Sequence, residues 1–142
     1  MSVETHELST AAVQEMFDRS AFHRWLGLRA EAVGPGSIEI SARWRPEWVV
    51  RPKGEPTHGG ILAALVDVAA DWALYSRTGR GVPTIDLRVD YHRAAAPGDL
   101  TVRGEVVNFG RQISVAEATV INADGVLIAS GRGVYLTKPP TS

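Results

Sequence analysis

The hydrophobic pattern of the chain changes period twice, and the changes mark its elements. Residues 57–75, T-H-G-G-I-L-A-A-L-V-D-V-A-A-D-W-A-L-Y, are apolar on nearly every side at helical spacing. Ile61, Leu65, Val68 and Trp72 make one stripe, and Leu62, Val66, Ala69 and Ala73 make another. Only Asp67 and Asp71 interrupt them. A helix that is apolar all round must be covered all round. At roughly 1.5 Å per residue it spans about 25–28 Å, the width of a small domain. The two aspartates break a run that would otherwise read as a membrane span. The stretch is therefore expected to be the buried spine of a small soluble domain.

On either side the period falls to two. Residues 37–45 put Ile38, Ile40, Ala42 and Trp44 on one face and charged or polar residues on the other. Residues 28–33 precede them across Gly34-Pro35-Gly36, so a hairpin is expected. After the helix, residues 84–92 set Ile85, Leu87, Val89 and Tyr91 against polar neighbours. Strands follow at 100–109, 112–122 and 126–136. Gly104 is read as a bulge, Asp124-Gly125 as a tight turn, and Gly131 and Gly133 as loosening the last strand. Residues 8–27 form an N-terminal helical segment, with a helix over 8–19 capped by Ser9 or Thr10 and facing inward through Val13, Met16 and Phe17. Residues 46–56, with three prolines, are a long loop leading to a helix capped by Thr57 and stopped near Gly79. Residues 137–142 are expected to be a flexible tail.

These elements describe one α+β domain over residues 1–142, with an antiparallel sheet of five to six strands around one long helix. Short turns between the last four strands predict antiparallel neighbours. A single sheet covers one side of a helix, so it must curl, and the uncovered flank calls for a second copy of the chain.

Composition narrows the function. The 142 residues carry a net charge of −1, which gives no sign of a nucleic-acid or anionic-membrane partner. The absence of cysteine removes disulfides, thiolate metal sites and a cysteine nucleophile, and fits a cytoplasmic protein. The first fifteen residues contain three glutamates and no apolar run of a leader. Histidines at 6, 23, 58 and 92 lack metal-ligand spacing, and no nucleophile-elbow, P-loop or dinucleotide fingerprint is present.

Two features carry chemistry. Asp67 lies well inside the apolar helix, where a carboxylate needs a partner or a cleft. It is either part of a thin solvent stripe shared with Asp71, or a carboxylate with a raised pKa able to act as base or nucleophile. His58-Gly59-Gly60 opens the helix. Two glycines there weaken the helix but admit a close ligand and leave N–H groups at its positive end, able to hold an oxyanion. Gly59 and Gly60 stand about two turns from Asp67, roughly 10 Å along the axis, too far to act together on one carbonyl. An antiparallel second copy would bring Asp67 of one subunit to Gly59 of the other.

T-H-G-G-I-L-A-A-L-V-D, a glycine-bearing link, the strand T-I-D-L-R-V-D-Y and then P-G-D-L together resemble the hotdog-fold acyl-CoA thioesterases of the PaaI-like group, over residues 22–136. The resemblance implies a curved antiparallel sheet around a central helix, a dimer paired into a tetramer, and an acyl-CoA thioester substrate. No cofactor is implied beyond the CoA of the substrate. By position, Asp67 corresponds to the catalytic carboxylate, Gly59 to the glycine whose N–H polarises the thioester carbonyl, and Thr84 to a hydroxyl residue that orients water. His58 and Gly60 join the substrate contacts, and Arg93 and Arg111 are candidates for the CoA phosphates. The group often carries Asn or Gln six residues before the His, where this chain has Pro52. That departure keeps open a non-catalytic acyl-CoA binding or sensing role. Trp25, Trp44, Trp48 and Tyr75 are candidates to line an acyl pocket, or plain core.

Overall fold

The computed structural model describes residues 8–51, 53 and 56–141. Pro52 lies outside the described residues. Two short helices, α1 (Thr10–Arg19) and α2 (Ala21–Trp25), precede a hairpin of β1 (Leu28–Gly34) and β2 (Ser37–Ala42). The long helix α3 (Gly59–Thr78) follows, then β3 (Thr84–Tyr91), β4 (Leu100–Asn108), β5 (Ile113–Asn122) and β6 (Leu127–Leu136). Ser9 caps α1 by accepting from the Ala12 N–H at 3.1 Å, and Val13 and Phe17 are its buried residues.

All six strands join one antiparallel sheet in the order β1-β2-β4-β5-β6-β3. This is the hotdog arrangement that the resemblance implies, a curved sheet wrapped on α3. It differs from a simple run of neighbours at one point. β3 pairs with β6 at the sheet edge, not with β4. The link over residues 92–99 is longer than a hairpin turn and carries the chain across to β4, beside β2. β3 also exposes more than its alternation suggests. Leu87 and Val89 pack on the core, whereas Ile85 and Tyr91 are 54% and 55% exposed. A register shift between Thr84 and Asp86 turns Ile85 outward.

The inner face of the sheet meets α3, whose Leu65, Val66, Ala69, Ala70, Ala73 and Leu74 are fully buried. By length and composition α3 is apolar enough to cross a bilayer, and half of it is buried inside the fold against the strands. The helix approaches closely because glycines lie beneath it. A Cβ on Gly104 would stand 2.2 Å from the Ala69 carbonyl oxygen, and one on Gly131 would stand 2.6 Å from a Val66 methyl. Gly104 is therefore a contact point for the helix, while the irregularity in β4 falls between Val106 and Asn108.

Two termini differ from expectation. α3 is capped by His58, because Thr57 is drawn into a bridge with Val49 and gives its N–H to the Ala95 carbonyl at 2.8 Å. Its C-cap is Gly79 in the left-handed conformation at φ 70°, as expected. Thr137, expected in a flexible tail, is buried, and its hydroxyl donates to the Gly110 carbonyl at 2.8 Å. The N–H groups of Thr137 and Lys138 both reach the Gln112 carbonyl, which ties the start of the tail to the β4–β5 turn.

Candidate active site

The helix and the sheet edge meet at Asp67. Its Oδ1 accepts two hydroxyl hydrogen bonds, from Thr84 at 3.0 Å and from Tyr135 at 2.9 Å. Thr84 opens β3 and Tyr135 lies near the end of β6, and the two are direct cross-strand partners. One rung of the sheet thus presents both donors to one carboxylate oxygen. Oδ2 takes no hydrogen bond among the described residues. Asp67 is half-buried and Thr84 exposed, so the unbonded side has access to solvent. A carboxylate held on one oxygen and free on the other has a fixed direction in which to accept a proton.

Tyr135 was not evident from the sequence as a site residue. It is fully buried, and an interior phenol needs a partner for its O–H. A tyrosine on the inward face of the last strand, near a helix with an unsatisfied aspartate, was the available signal. Burial pushes its pKa well above the usual phenol value, and the Asp67 charge, its hydrogen bond and Asp71 push the same way. The phenol therefore stays protonated and is a permanent donor.

Gly133 makes room for it. A Cβ at Gly133 would lie 2.3 Å from the Tyr135 ring and hydroxyl. The ring has no free space to move into, being fully enclosed. Gly133→Ala is therefore expected to displace the phenol from Asp67 and lower kcat roughly tenfold, with Tyr135→Phe reproducing the loss of rate at a smaller cost in melting temperature. Steady-state kinetics beside thermal melts measure both parts.

Asp71 sits one turn further along α3. Its Oδ1 is buried without a hydrogen-bond partner among the described residues. Burial, and after it the charge on Asp67, pushes its pKa up to about 7, against a Val82 backbone N–H that pulls it down. The second aspartate is thus neither an exposed surface charge nor a copy of the first.

The amino end of α3 has a different geometry. His58 Nδ1 accepts the Gly60 N–H at 2.8 Å, which places the proton of a neutral ring on Nε2. That hydrogen bond occupies the Gly60 N–H, so Gly60 does not offer it to a ligand. Gly59 takes part through its carbonyl, which accepts from the Tyr91 hydroxyl at 3.1 Å, while its N–H has no partner among the described residues. A Cβ on Gly59 would come within 3.3 Å of the Tyr91 ring, so Tyr91 closes over this residue. Of the two glycines, Gly59 alone keeps a free donor at the positive end of the helix.

The remaining candidates do not converge within the chain. Gly59 and Asp67 are separated by about 12 Å of helix. Arg93 follows β3 at the Gly59 end, and its N–H bonds the Ile128 carbonyl. Arg111 is exposed in the β4–β5 turn, beside Gln112 and the strand residues facing Tyr135. The two arginines therefore stand at opposite ends of the sheet. The aromatic candidates are also dispersed. Tyr75 stacks on Trp72 at 4.6 Å, Trp25 lies under the Arg45 guanidinium at 4.6 Å, and Trp48 is fully buried beneath the loop before α3. Among the described residues no group of three or more His, Asp or Glu is arranged to hold a metal.

Comparison with known proteins gives this geometry a family. Residues 57–129 match the model of the Thioesterase superfamily, a span that contains Gly59, Asp67 and Thr84 and ends before Tyr135. The chain is 30% identical to the medium/long-chain acyl-CoA thioesterase YigI of Salmonella typhimurium, over 95% of this chain and 97% of that protein. A solved structure of a protein from the thioesterase superfamily is 47% identical, with a TM-score of 0.83 over 89% of this chain and 96% of that one. Zebrafish thioesterase superfamily member 2 superposes with a TM-score of 0.81 at 26% identity, covering 91% of this chain and 99% of that one. The chain belongs to the thioesterase superfamily and is a thioester hydrolase of the hotdog fold.

Proposed function

We propose that this protein hydrolyses acyl-CoA thioesters to the free acid and CoA, with Asp67 as general base. The observation that carries the reading is the aspartate whose Oδ1 is held by the Thr84 and Tyr135 hydroxyls while Oδ2 is left free. The likeness to an acyl-CoA thioesterase supports the substrate class. In the reaction, Oδ2 takes a proton from water as the water oxygen bonds to the thioester carbonyl carbon. The carbonyl oxygen becomes an oxyanion that a free N–H at a helix N-terminus can hold. Collapse breaks the C–S bond, and the departing CoA thiolate takes the proton back from Asp67. This chemistry calls for no metal or redox cofactor, and CoA enters only as part of the substrate.

The oxyanion donor is the Gly59 N–H of a second copy. Within one chain Gly59 is too distant from Asp67, and antiparallel packing of two α3 helices closes the gap. The same packing brings Arg93 of one subunit toward Arg111 of the other, where both suit the CoA phosphates. A homodimer is the smallest active unit in this reading, two dimers pair into a tetramer, and a cytoplasmic site of action fits an acyl-CoA substrate.

The test is a thiol-release assay over acyl-CoAs of graded chain length and aromaticity, with single turnovers in ¹⁸O-water. Release of free CoA with no label entering Asp67 is expected. Tight binding without thiol release would instead make the protein an acyl-CoA sensor, and label in the Asp67 carboxylate would make that residue the nucleophile.

A further inference from the structure

Asp67 and Asp71 stand four residues apart on α3, so their side chains leave the same face with Cβ atoms about 5–6 Å apart. Their surroundings supply side-chain donors to only one of them. Both available hydroxyls, from Thr84 and Tyr135, go to Asp67. Asp71 Oδ1 is buried and unpartnered among the described residues, and its sequence neighbours Ala70 and Trp72 are buried too. Val82, 6% exposed, belongs to the link that closes over this turn and directs a backbone N–H toward the Asp71 carboxyl.

We propose that Asp71 is a positioning residue for the hydrolysis: held as a neutral carboxylic acid one turn from Asp67, it keeps the site at a single negative charge and leaves Asp67 as the only proton acceptor. This rests on the reading of Asp67 as general base.

The groups facing Asp71 are consistent with that role. On its own helix the nearest charge is Asp67, and on β6 the Tyr135 phenol is uncharged. β3 offers the neutral Thr84 hydroxyl, already committed to Asp67. The arginines of the strands packed on α3 do not neutralise it. Arg88, Arg103 and Arg132 are more than half exposed and are paired with Asp90, Glu39 and Glu117 respectively. Arg77, later on α3, lies over the Phe109 ring at 4.3 Å, and the Arg80 guanidinium donates to the Thr137 carbonyl. No salt bridge reaches either aspartate among the described residues. Two carboxyl groups in such unlike environments divide the work, one ionised and accepting, the other protonated. Consistently, burial and the neighbouring charge put Asp71's ionisation at about 7. Once Asp71 ionises, a second negative charge opposes the oxyanion and the product carboxylate, and turnover declines.

The experiment compares kcat/KM against pH, from 5.5 to 9, for the wild type, Asp71→Asn and Asp67→Asn, following loss of the thioester absorbance. Asparagine imitates the neutral acid and cannot ionise. Asp71→Asn is expected to match the wild type at pH 6 and to exceed it roughly tenfold at pH 9, because the alkaline decline is removed. A profile that superposes on the wild type, or a loss equal at every pH, overturns the proposal. Melting temperatures give a readout apart from activity. An acid whose pKa is raised by folding stabilises the fold fully below its unfolded value of 3.8, and that contribution is lost as pH rises to about 7. Asp71→Asn should therefore melt several degrees above the wild type at pH 8, with the gap closing by pH 4. Absence of that gap shows that the folded chain does not hold the proton and also overturns the proposal. Should Asp67→Asn remain active, the general-base reading falls and the proposal built on it falls with it. An inactive Asp67→Asn beside an unchanged Asp71→Asn profile removes the Asp71 proposal alone.

Discussion

Asp67→Asn is expected to lower kcat for acyl-CoA hydrolysis by a hundredfold or more, while the fold and the substrate KM stay within a few-fold of the wild type. The substitution is chosen for what it preserves. Asparagine has nearly the same shape, and its carbonyl oxygen can still accept from the Thr84 and Tyr135 hydroxyls that hold Oδ1. What it removes is the second, unbonded oxygen, whose place is taken by an NH₂ that cannot accept a proton. Water then loses its base, because the only other carboxyl in this turn, Asp71, has a buried Oδ1 and burial pushes its pKa up to about 7, toward the neutral acid. The expected pattern is a kcat effect with little change in KM, since a general base at Asp67, as proposed, acts on water more than on the bound thioester. A drop of only a few-fold in kcat would move the base elsewhere.

The helix that carries this residue was legible because its apolar pattern leaves so few alternatives. Stripes such as Ile61-Leu65-Val68-Trp72 fix the period, and the left-handed Gly79 stops it where the sequence places a stop. The strands were legible for the same reason, with boundaries that shift by only a residue or so over most of the sheet. What the pattern lacks is information about distant partners. The position of β3 at the far edge, beside β6, depends on where the link of residues 92–99 travels, and local periodicity is silent on that. Gly104 reads locally as a break in a strand, and only the helix crossing above it explains the missing side chain.

The site divides in the same way. Asp67, Gly59 and Thr84 were accessible through their motif, and Asp67 and Thr84 do meet. Tyr135 lies 68 residues from Asp67, in a strand with no motif to announce it. The state of Asp71 was equally hidden, because it depends on which neighbour receives the hydroxyls. His58 and Gly60 illustrate the reverse case. Their sequence suggests ligand contacts, but the Gly60 N–H is taken up by His58 Nδ1 at the helix cap.

Gly104→Ala is expected to destabilise the protein by about 3 kcal/mol or more, which is a large share of the 5–15 kcal/mol typical of a folded domain. This reverses the usual expectation, since glycine within a strand is normally the weaker choice and alanine adds stability by restricting the unfolded chain. Here the added methyl group has nowhere to go. It would stand 2.2 Å from the Ala69 carbonyl oxygen and 2.6 Å from its carbon, atoms of helix backbone that no rotamer change can move. Either α3 lifts from β4 or β4 bends away, and both open the interior packed around Leu65, Val66 and Val102. Gly81→Ala is the control. A Cβ there meets nothing within 4 Å, and Gly81 has no positive φ, so its melting temperature should match the wild type. Paired thermal melts, or urea titrations at one protein concentration, measure the difference. The effect reaches the chemistry as well, because Ala69 is two residues from Asp67 on the same helix. A shift of α3 away from the sheet carries the Asp67 carboxylate away from Thr84 and Tyr135, so whatever Gly104→Ala protein remains folded should also turn over more slowly than the Gly81 control. Equal stability for the two alanine variants would mean that the close approach of helix to strand at Gly104 is not what holds the Asp67 carboxylate against its two hydroxyls.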